Sequence, residues 1–387
     1  MTQPLLMIPG PIEMDASVVE ALGRPAKSHL DPELMEAFGR SLEGLRKVFL
    51  APKGQPFVVA GSGTLAMEMA AANLVEEGER AVVVETGYFS VRMGSILERH
   101  GAEVTRVPAP AGEVPSLADV ETELMRKPTK VLTITHVDTS TGVRAPVREL
   151  AALGKKHGAL VIVDGVCSAG GEALRQDDWK VDVFLSASQK ALGAPPGLAV
   201  LVASNAAMEA WRARKTKVRS FYADFAEWLP IMQAYEARKP AYFATPPVNL
   251  IEALDASLSA ILAEGMEVRF TRHVRIAEAF RAAWKALGLT MLPKTEDITA
   301  GTLSALYYPE GIDASLVGAI RDEGVVVAGG LHPDLRARYF RVGHMGGTGP
   351  REILATVGAV ERALAKKGQG EHLGRGVEAA QQALAQR

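Results

Sequence analysis

From about residue 56 the chain repeats one unit, an apolar strand followed by a glycine turn and a helical run, and few folds accommodate that repeat. Phe57–Ala60 precedes Gly61-Ser62-Gly63 and the helical run Thr64 to Val75, and Ala81–Val84 leads to Thr86-Gly87-Tyr88-Phe89 and the run Ser90 to His100. Lys130–Thr135 leads into Asp138-Thr139-Ser140-Thr141-Gly142. Ala159–Val163 then ends on Asp164, Val181–Ser188 runs into Gln189-Lys190, and Leu198–Val202 follows. Near-continuous apolar strands alternating with helices predict an α/β fold with a mostly parallel sheet covered on both faces. Ligands bind such sheets at the carboxyl ends of the strands, so residues at those ends come first.

A chain of 387 residues exceeds what one core usually organises, so two domains sharing an interface are expected. We read 1–20 as an N-terminal segment, 21–248 as a large domain and 249–387 as a smaller C-terminal α+β domain. In the first of these, Ile8-Pro9-Gly10-Pro11 is rigid and non-helical. Asp31 then reads as an N-cap and Pro32 as the first residue of a helix with Leu34, Phe38, Leu42, Leu45 and Phe49 on one face. Beyond Pro246-Pro247 one long helical stretch, roughly Asn249 to Leu287, precedes strands near 302–308, 325–327 and 339–342 and a helix from Pro350 to about Lys366. Residues 368–387 read as a polar tail rich in Gln and Ala.

Lysines and arginines (43) nearly cancel aspartates and glutamates (45), so a net charge of -2 offers no footprint for nucleic acid or an anionic membrane. The one cysteine, Cys167, excludes a disulfide framework and fits a reducing compartment. The first residues lack a basic n-region and apolar h-region, and no apolar run approaches spanning length. A cytoplasmic protein is the expectation, with no metal, because the eight histidines show no ligand spacing.

Two of the strand ends carry chemistry. Lys190 sits at the mouth of an apolar strand, where a desolvated ammonium loses charge and becomes a nucleophilic amine. About one helix-and-strand unit earlier, Asp164 ends another. Alone, Lys190 could snorkel to water and Asp164 could cap a helix. Together they are the amine and carboxylate that pyridoxal phosphate requires, one to bind it covalently and one to keep its pyridine nitrogen protonated. Gly61-Ser62-Gly63-Thr64 opens a helix after a strand, as a phosphate cradle does. The same residues with Leu65-Ala66 also satisfy the dinucleotide fingerprint, with Glu85 about twenty residues on. A hydride-transfer site, however, has no use for the Asp164–Lys190 pair. Arg341 is a charge inside an apolar strand; it either pairs with a structural acid or serves an α-carboxylate. Cys167 reads as packing, His136 as structural, and the basic run Arg212 to Arg219 as a solvated helix face.

These stretches resemble the fold-type I, class V pyridoxal-phosphate aminotransferases, in the alanine/serine–glyoxylate (serine–pyruvate) group. The likeness is carried by Pro9-Gly10-Pro11, Gly61-Ser62-Gly63, Thr135-His136, Ser140-Thr141-Gly142, Val163-Asp164, Ser188-Gln189-Lys190-Ala191-Leu192 with Ala194-Pro195-Pro196-Gly197, Arg214-Lys215-Thr216-Lys217, Thr245 and Arg341-Val342-Gly343. It implies that Lys190 carries the cofactor and Asp164 faces its ring nitrogen. Ser62, Gly63, Thr64 and Gln189 would hold the phosphate, with Tyr242 and Thr245 reaching it from the second subunit of a homodimer. Thr139 would lie near the phenolic oxygen, and Arg341 would clamp the substrate carboxylate. Phe89 stands where the best-known members stack a tryptophan, Phe243-Ala244 replaces a frequent histidine pair, and Gly165 replaces a serine. The implied reaction is ping-pong transamination, through pyridoxamine phosphate, from alanine or serine to glyoxylate or pyruvate. Other class V activities, on aspartate or ureidoglycine or as a lyase or desulfurase, are the alternatives. A nicotinamide-dependent dehydrogenase and a non-catalytic subunit of a larger complex stand behind them.

Overall fold

The computed structural model describes residues 3–386. In chain order the strands are β1 (Leu5–Leu6), β2 (Gln55–Ala60), β3 (Arg80–Glu85), β4 (Glu103–Pro108), β5 (Val131–Thr135), β6 (Val137–Asp138) and β7 (Val143–Arg144), then β8 (Leu160–Asp164), β9 (Val183–Ala187), β10 (Leu198–Ala203), β11 (Leu303–Tyr307), β12 (Val325–Val326), β13 (Ala328–Gly329) and β14 (Tyr339–Gly343). The helices are α1 (Ala16–Leu22), α2 (Pro32–Val48), α3 (Gly63–Leu74), α4 (Tyr88–Arg99), α5 (Leu117–Arg126), α6 (Val147–Lys156) and α7 (Asn205–Arg212), then α8 (Phe225–Glu236), α9 (Val248–Glu264), α10 (Met266–Ala286), α11 (Ser315–Asp322), α12 (Pro350–Lys366) and α13 (Arg375–Ala385).

Among the described residues seven strands form the large sheet, in the order β2-β10-β9-β8-β5-β3-β4. All run parallel except β10, which is antiparallel to both its neighbours. Every residue of β5, β9 and β10 is buried, as expected for strands covered on both faces. The edge strand β4 was not anticipated, because its outer residues face water and break the apolar run.

Among the described residues two large hydrophobic cores and two small clusters result. The larger packs the sheet against α2, α3, α8 and α9, from Leu34 to Phe270. The smaller joins Ile276, Phe280 and Trp284 of α10 to β11, β14, α11 and α12, and it includes Met7. Helix α10 therefore contributes to both cores, and β1, paired with β12, ties the N-terminal segment to the smaller one. No helix among the described residues is long and apolar enough to cross a membrane.

The α2 start matches its reading: Asp31 accepts the Glu33 N–H at 2.8 Å ahead of Pro32. Three expectations need correction. The single stretch 249–287 is two helices, broken at Gly265 with φ +85°. The basic run is mostly loop rather than helix face: Arg214 caps the end of α3 through the Asn73 and Val75 carbonyls at 3.2 and 2.8 Å. The tail 368–387 is not featureless, since α13 packs on α10 and α12 with Ala380 buried. Its N-terminal N–H groups at Gly374, Gly376 and Val377 all donate to the Glu361 carboxylate, a cap supplied from another helix.

Candidate active site

The carboxyl ends of β5, β8 and β9 lie side by side, with Thr135 paired to Asp164 and Asp164 to Leu185. Asp164 therefore ends β8, and Lys190 lies in the turn just past the end of the adjacent parallel strand β9. The turn that carries Lys190 is held from several directions. Ser188 donates to Pro195 and accepts from Leu198, while Arg269 of α10 donates to the Gly170 and Ala191 carbonyls at 2.6 and 2.8 Å.

Lys190 is 8% exposed, and burial pushes its amine down from the ordinary lysine range. Its ammonium donates to the carbonyl of Pro9, so the rigid N-terminal segment lies directly on it. Gly10, at φ +98°, has no room for a Cβ because the Lys190 stem occupies that space. Asp164, also buried, accepts the Val166 N–H on Oδ1 at 2.9 Å, and Oδ2 has no protein partner among the described residues. Burial pushes this carboxyl up to about 7; the nearby Asp138 carboxylate adds to the rise, while the Val166 N–H, Lys190 and Arg92 oppose it. A buried acid with one oxygen open, close to a buried amine, fits a cationic ring nitrogen.

The residues at the start of α3 fit an anion. Ser62 is the N-cap but does not bond the helix with its own hydroxyl, and the N–H groups of Gly63 and Thr64 have no acceptor among the described residues. Gly63 packs so closely that a Cβ would lie 2.6 Å from Val166. Gln189 Oε1 is buried and has no hydrogen-bond partner among the described residues. Phe89, in the first turn of α4, offers a flat apolar face beside these donors. Thr139 is buried, and its carbonyl accepts Arg341 Nη1 at 3.1 Å. Arg341 Nε donates to Gly329 at 2.9 Å, and no carboxylate among the described residues pairs with the guanidinium. The structural-acid alternative for Arg341 is thereby removed. These donors, the open Asp164 oxygen and the amine form a set that matches pyridoxal phosphate.

Tyr242 and Thr245 are not part of this cluster within one chain. They lie exposed before α9, their hydroxyls 3.3 Å apart, with no hydrogen bond to the residues around Lys190. Cys167 is buried, and burial pushes its thiol up, which is the wrong direction for a desulfurase nucleophile. His136 is buried and neutral, pushed down to about 3 by burial and by Arg144. The dinucleotide fingerprint fails on topology: β2 is at one edge, separated from β3 by β10, β9, β8 and β5, and Glu85 is paired with Arg106 at 2.6 Å.

Sequence reasoning missed one residue of consequence. Asp138 is fully buried and accepts from the Phe89 and Ser90 N–H groups at 3.1 and 3.2 Å and from the Ser140 N–H and hydroxyl at 3.0 and 2.6 Å. It bolts the α4 N-terminus, with Phe89, to the turn that carries Thr139. Its place before Thr-Ser-Thr-Gly signals a turn, but the partners on α4 have no local signature.

The description of the class-V aminotransferases matches residues 17–340. Alanine–glyoxylate aminotransferase 1 of Saccharomyces cerevisiae is 38% identical over 357 residues, spanning 89% of this chain and 92% of the yeast protein. L-aspartate–glyoxylate aminotransferase of Paracoccus denitrificans is 35% identical over 384 residues, spanning 97% of this chain and 95% of its own. The crystal structure of ureidoglycine–glyoxylate aminotransferase from Bacillus subtilis aligns with a TM-score of 0.92 at 25% identity, over 99% of this chain and 98% of its own.

Proposed function

The chain belongs to the class-V aminotransferases, and we propose that it moves the amino group of a small uncharged amino acid, alanine or serine, to a small 2-oxo acid, glyoxylate or pyruvate, with Lys190 as the covalent anchor of pyridoxal phosphate. The observation that carries this reading is the convergence of a buried amine, a buried acid with a free oxygen and an unpaired guanidinium: Lys190, Asp164 and Arg341. The three relatives named above differ in donor but share glyoxylate in their names, which favours glyoxylate as acceptor.

When bound, pyridoxal phosphate supplies an electron sink for a carbanion at the substrate Cα. The protein's own work is binding, orientation and proton movement. Ser62, Gly63, Thr64 and Gln189 would hold the phosphate, and Phe89 would offer its face to the ring. Asp164 would hold a proton at the ring nitrogen; a cationic partner there would favour its ionised form over the neutral one that burial alone prefers. Lys190, whose amine burial shifts toward its uncharged form, would hold the cofactor and, once free of it, take the proton from Cα. Pro9 offers the displaced amine a carbonyl to rest on. Arg341 takes the substrate carboxylate in its planar fork, which fixes which Cα–H faces Lys190.

An aspartate donor would need a second free cation on the substrate side. Arg92, the candidate, donates to the Thr64 hydroxyl at 3.0 Å, which places its guanidinium at the phosphate cradle rather than on the substrate side. Alanine and serine are therefore favoured. Exposure of Tyr242 and Thr245 supports a homodimer in which each chain completes the other's phosphate site, and the lone buried Cys167 supports the cytoplasm as its compartment. The test is a half-reaction: loss of the cofactor's visible band on adding single amino acids, in the absence of any acceptor. Alanine or serine should convert it at least about tenfold faster than aspartate, a difference of about 1.4 kcal/mol in the barrier. Preference for aspartate would overturn the donor assignment.

A further inference from the structure

One arginine of the site has neither an acidic partner among the described residues nor a part in the chemistry above. Arg92 lies in the second turn of α4, and Nη1 donates to the Thr64 hydroxyl at 3.0 Å. Its guanidinium carbon is 4.9 Å from the Phe89 ring centroid and 5.0 Å from that of Tyr88. Acids on neighbouring segments pair elsewhere, Glu85 and Glu98 with Arg106 and Glu68 with His100. Most of Arg92's donors are thus uncommitted, beside the anion cradle at the start of α3.

We propose that Arg92 is a positioning residue for the phosphate end of the cofactor, cross-tying the Thr64 hydroxyl to the Phe89 ring so that the cradle and the ring face keep a fixed spacing. The two parts sit on different helices, Thr64 on α3 and Phe89 on α4, and Arg92 bonds one while lying over the other. A guanidinium can do both at once, because its plane stacks on a ring while its edge donates.

The inference rests on reading Ser62–Thr64 as the phosphate cradle, and the experiment separates the two ideas. Cofactor-free full-length protein is titrated with pyridoxal 5′-phosphate and, separately, with phosphate-free pyridoxal, following intrinsic fluorescence. Arg92→Met, which keeps an apolar stem on the rings, and Thr64→Val should each weaken binding of the phosphorylated form about tenfold and leave pyridoxal within about twofold. The double variant should lose no more than the weaker single variant, since both remove one tie. Arg92→Lys, a milder change for folding, should lose about threefold, because it keeps the charge but cannot stack flat and donate together. Additive losses in the double variant, equal losses for both ligands, or unaltered affinity in Arg92→Lys and Thr64→Val overturn the inference. If the unmodified protein bound both ligands equally, the cradle reading would fail first and the cross-tie with it.

Discussion

The Lys190 ammonium donates to the carbonyl of Pro9, across 181 positions of sequence, and the next residue, Gly10, leaves open the space that the lysine stem fills. A segment anchored on the smaller core through β1 and Met7 thus forms one wall around the amine that rises from the large sheet.

Gly10→Ala is expected to harm turnover more than stability. Its φ of +98° costs an alanine about 1–2 kcal/mol, but the added Cβ also displaces the flexible Lys190 side chain. Turnover should fall at least about tenfold, equivalent to about 1.4 kcal/mol in the barrier, while the melting temperature shifts by only about 1 °C per kcal/mol for a chain of this size. Steady-state kinetics and a calorimetric melt on one preparation check this; wild-type turnover would contradict it.

Asp138→Asn tests the bolt between α4 and the Thr139 turn. Both Asp138 oxygens accept from N–H or O–H donors, so an amide must turn its NH₂ toward two of them. A loss of about 2–3 kcal/mol in urea unfolding is expected, with weaker cofactor binding because Phe89 and Thr139 lose their common anchor. Unchanged stability would show that the bolt is dispensable.

Asp164 binds its proton more tightly in the folded, cofactor-free chain than at the ordinary 3.8, being pushed up to about 7. The folded state therefore holds the extra proton between those values, and this group's contribution to stability is lost as pH rises through that window. Buried His136, His273 and His344, each pushed down to about 3 by burial, act the other way and disfavour the fold below the ordinary 6.5. Asp164→Asn removes only the first contribution. Without cofactor the variant should match the parent near pH 4 and exceed it at pH 8 by up to about 4 kcal/mol in urea unfolding. A constant difference across pH would contradict the raised carboxyl.

Arg341→Lys should raise KM for the amino acid about ten- to hundredfold, the cost of exchanging a planar two-donor clamp for a point charge. The cofactor's absorbance should be untouched, since among the described residues Arg341 bonds only Gly329 and Thr139. An altered spectrum with unchanged KM would place the residue on the cofactor instead.

Local patterns were sufficient for much of this architecture. Apolar strands and glycine turns marked the parallel sheet, and Asp164 ends β8 while Lys190 follows the end of neighbouring β9. Where partners come from elsewhere in the chain, the sequence was silent. Asp138 bonds residues 48 and 49 positions away, α13 is capped by Glu361 of α12, and the Pro9 contact joins the two ends of the site. The glycine fingerprint misled for the same reason. Its local spacing is that of a dinucleotide turn, but strand order is a property of the whole sheet, and β2 and β3 do not touch.

The central claim is that Lys190, of all the lysines in the chain, bears the cofactor. Reductive trapping of the yellow protein with borohydride, followed by proteolysis and mass spectrometry of the labelled peptide, tests it directly. The expected label lies on the peptide spanning Ser188-Gln189-Lys190-Ala191, and Lys190→Ala should abolish it together with the visible band. A label on any other lysine, or a borohydride-trapped cofactor in Lys190→Ala, would contradict the account.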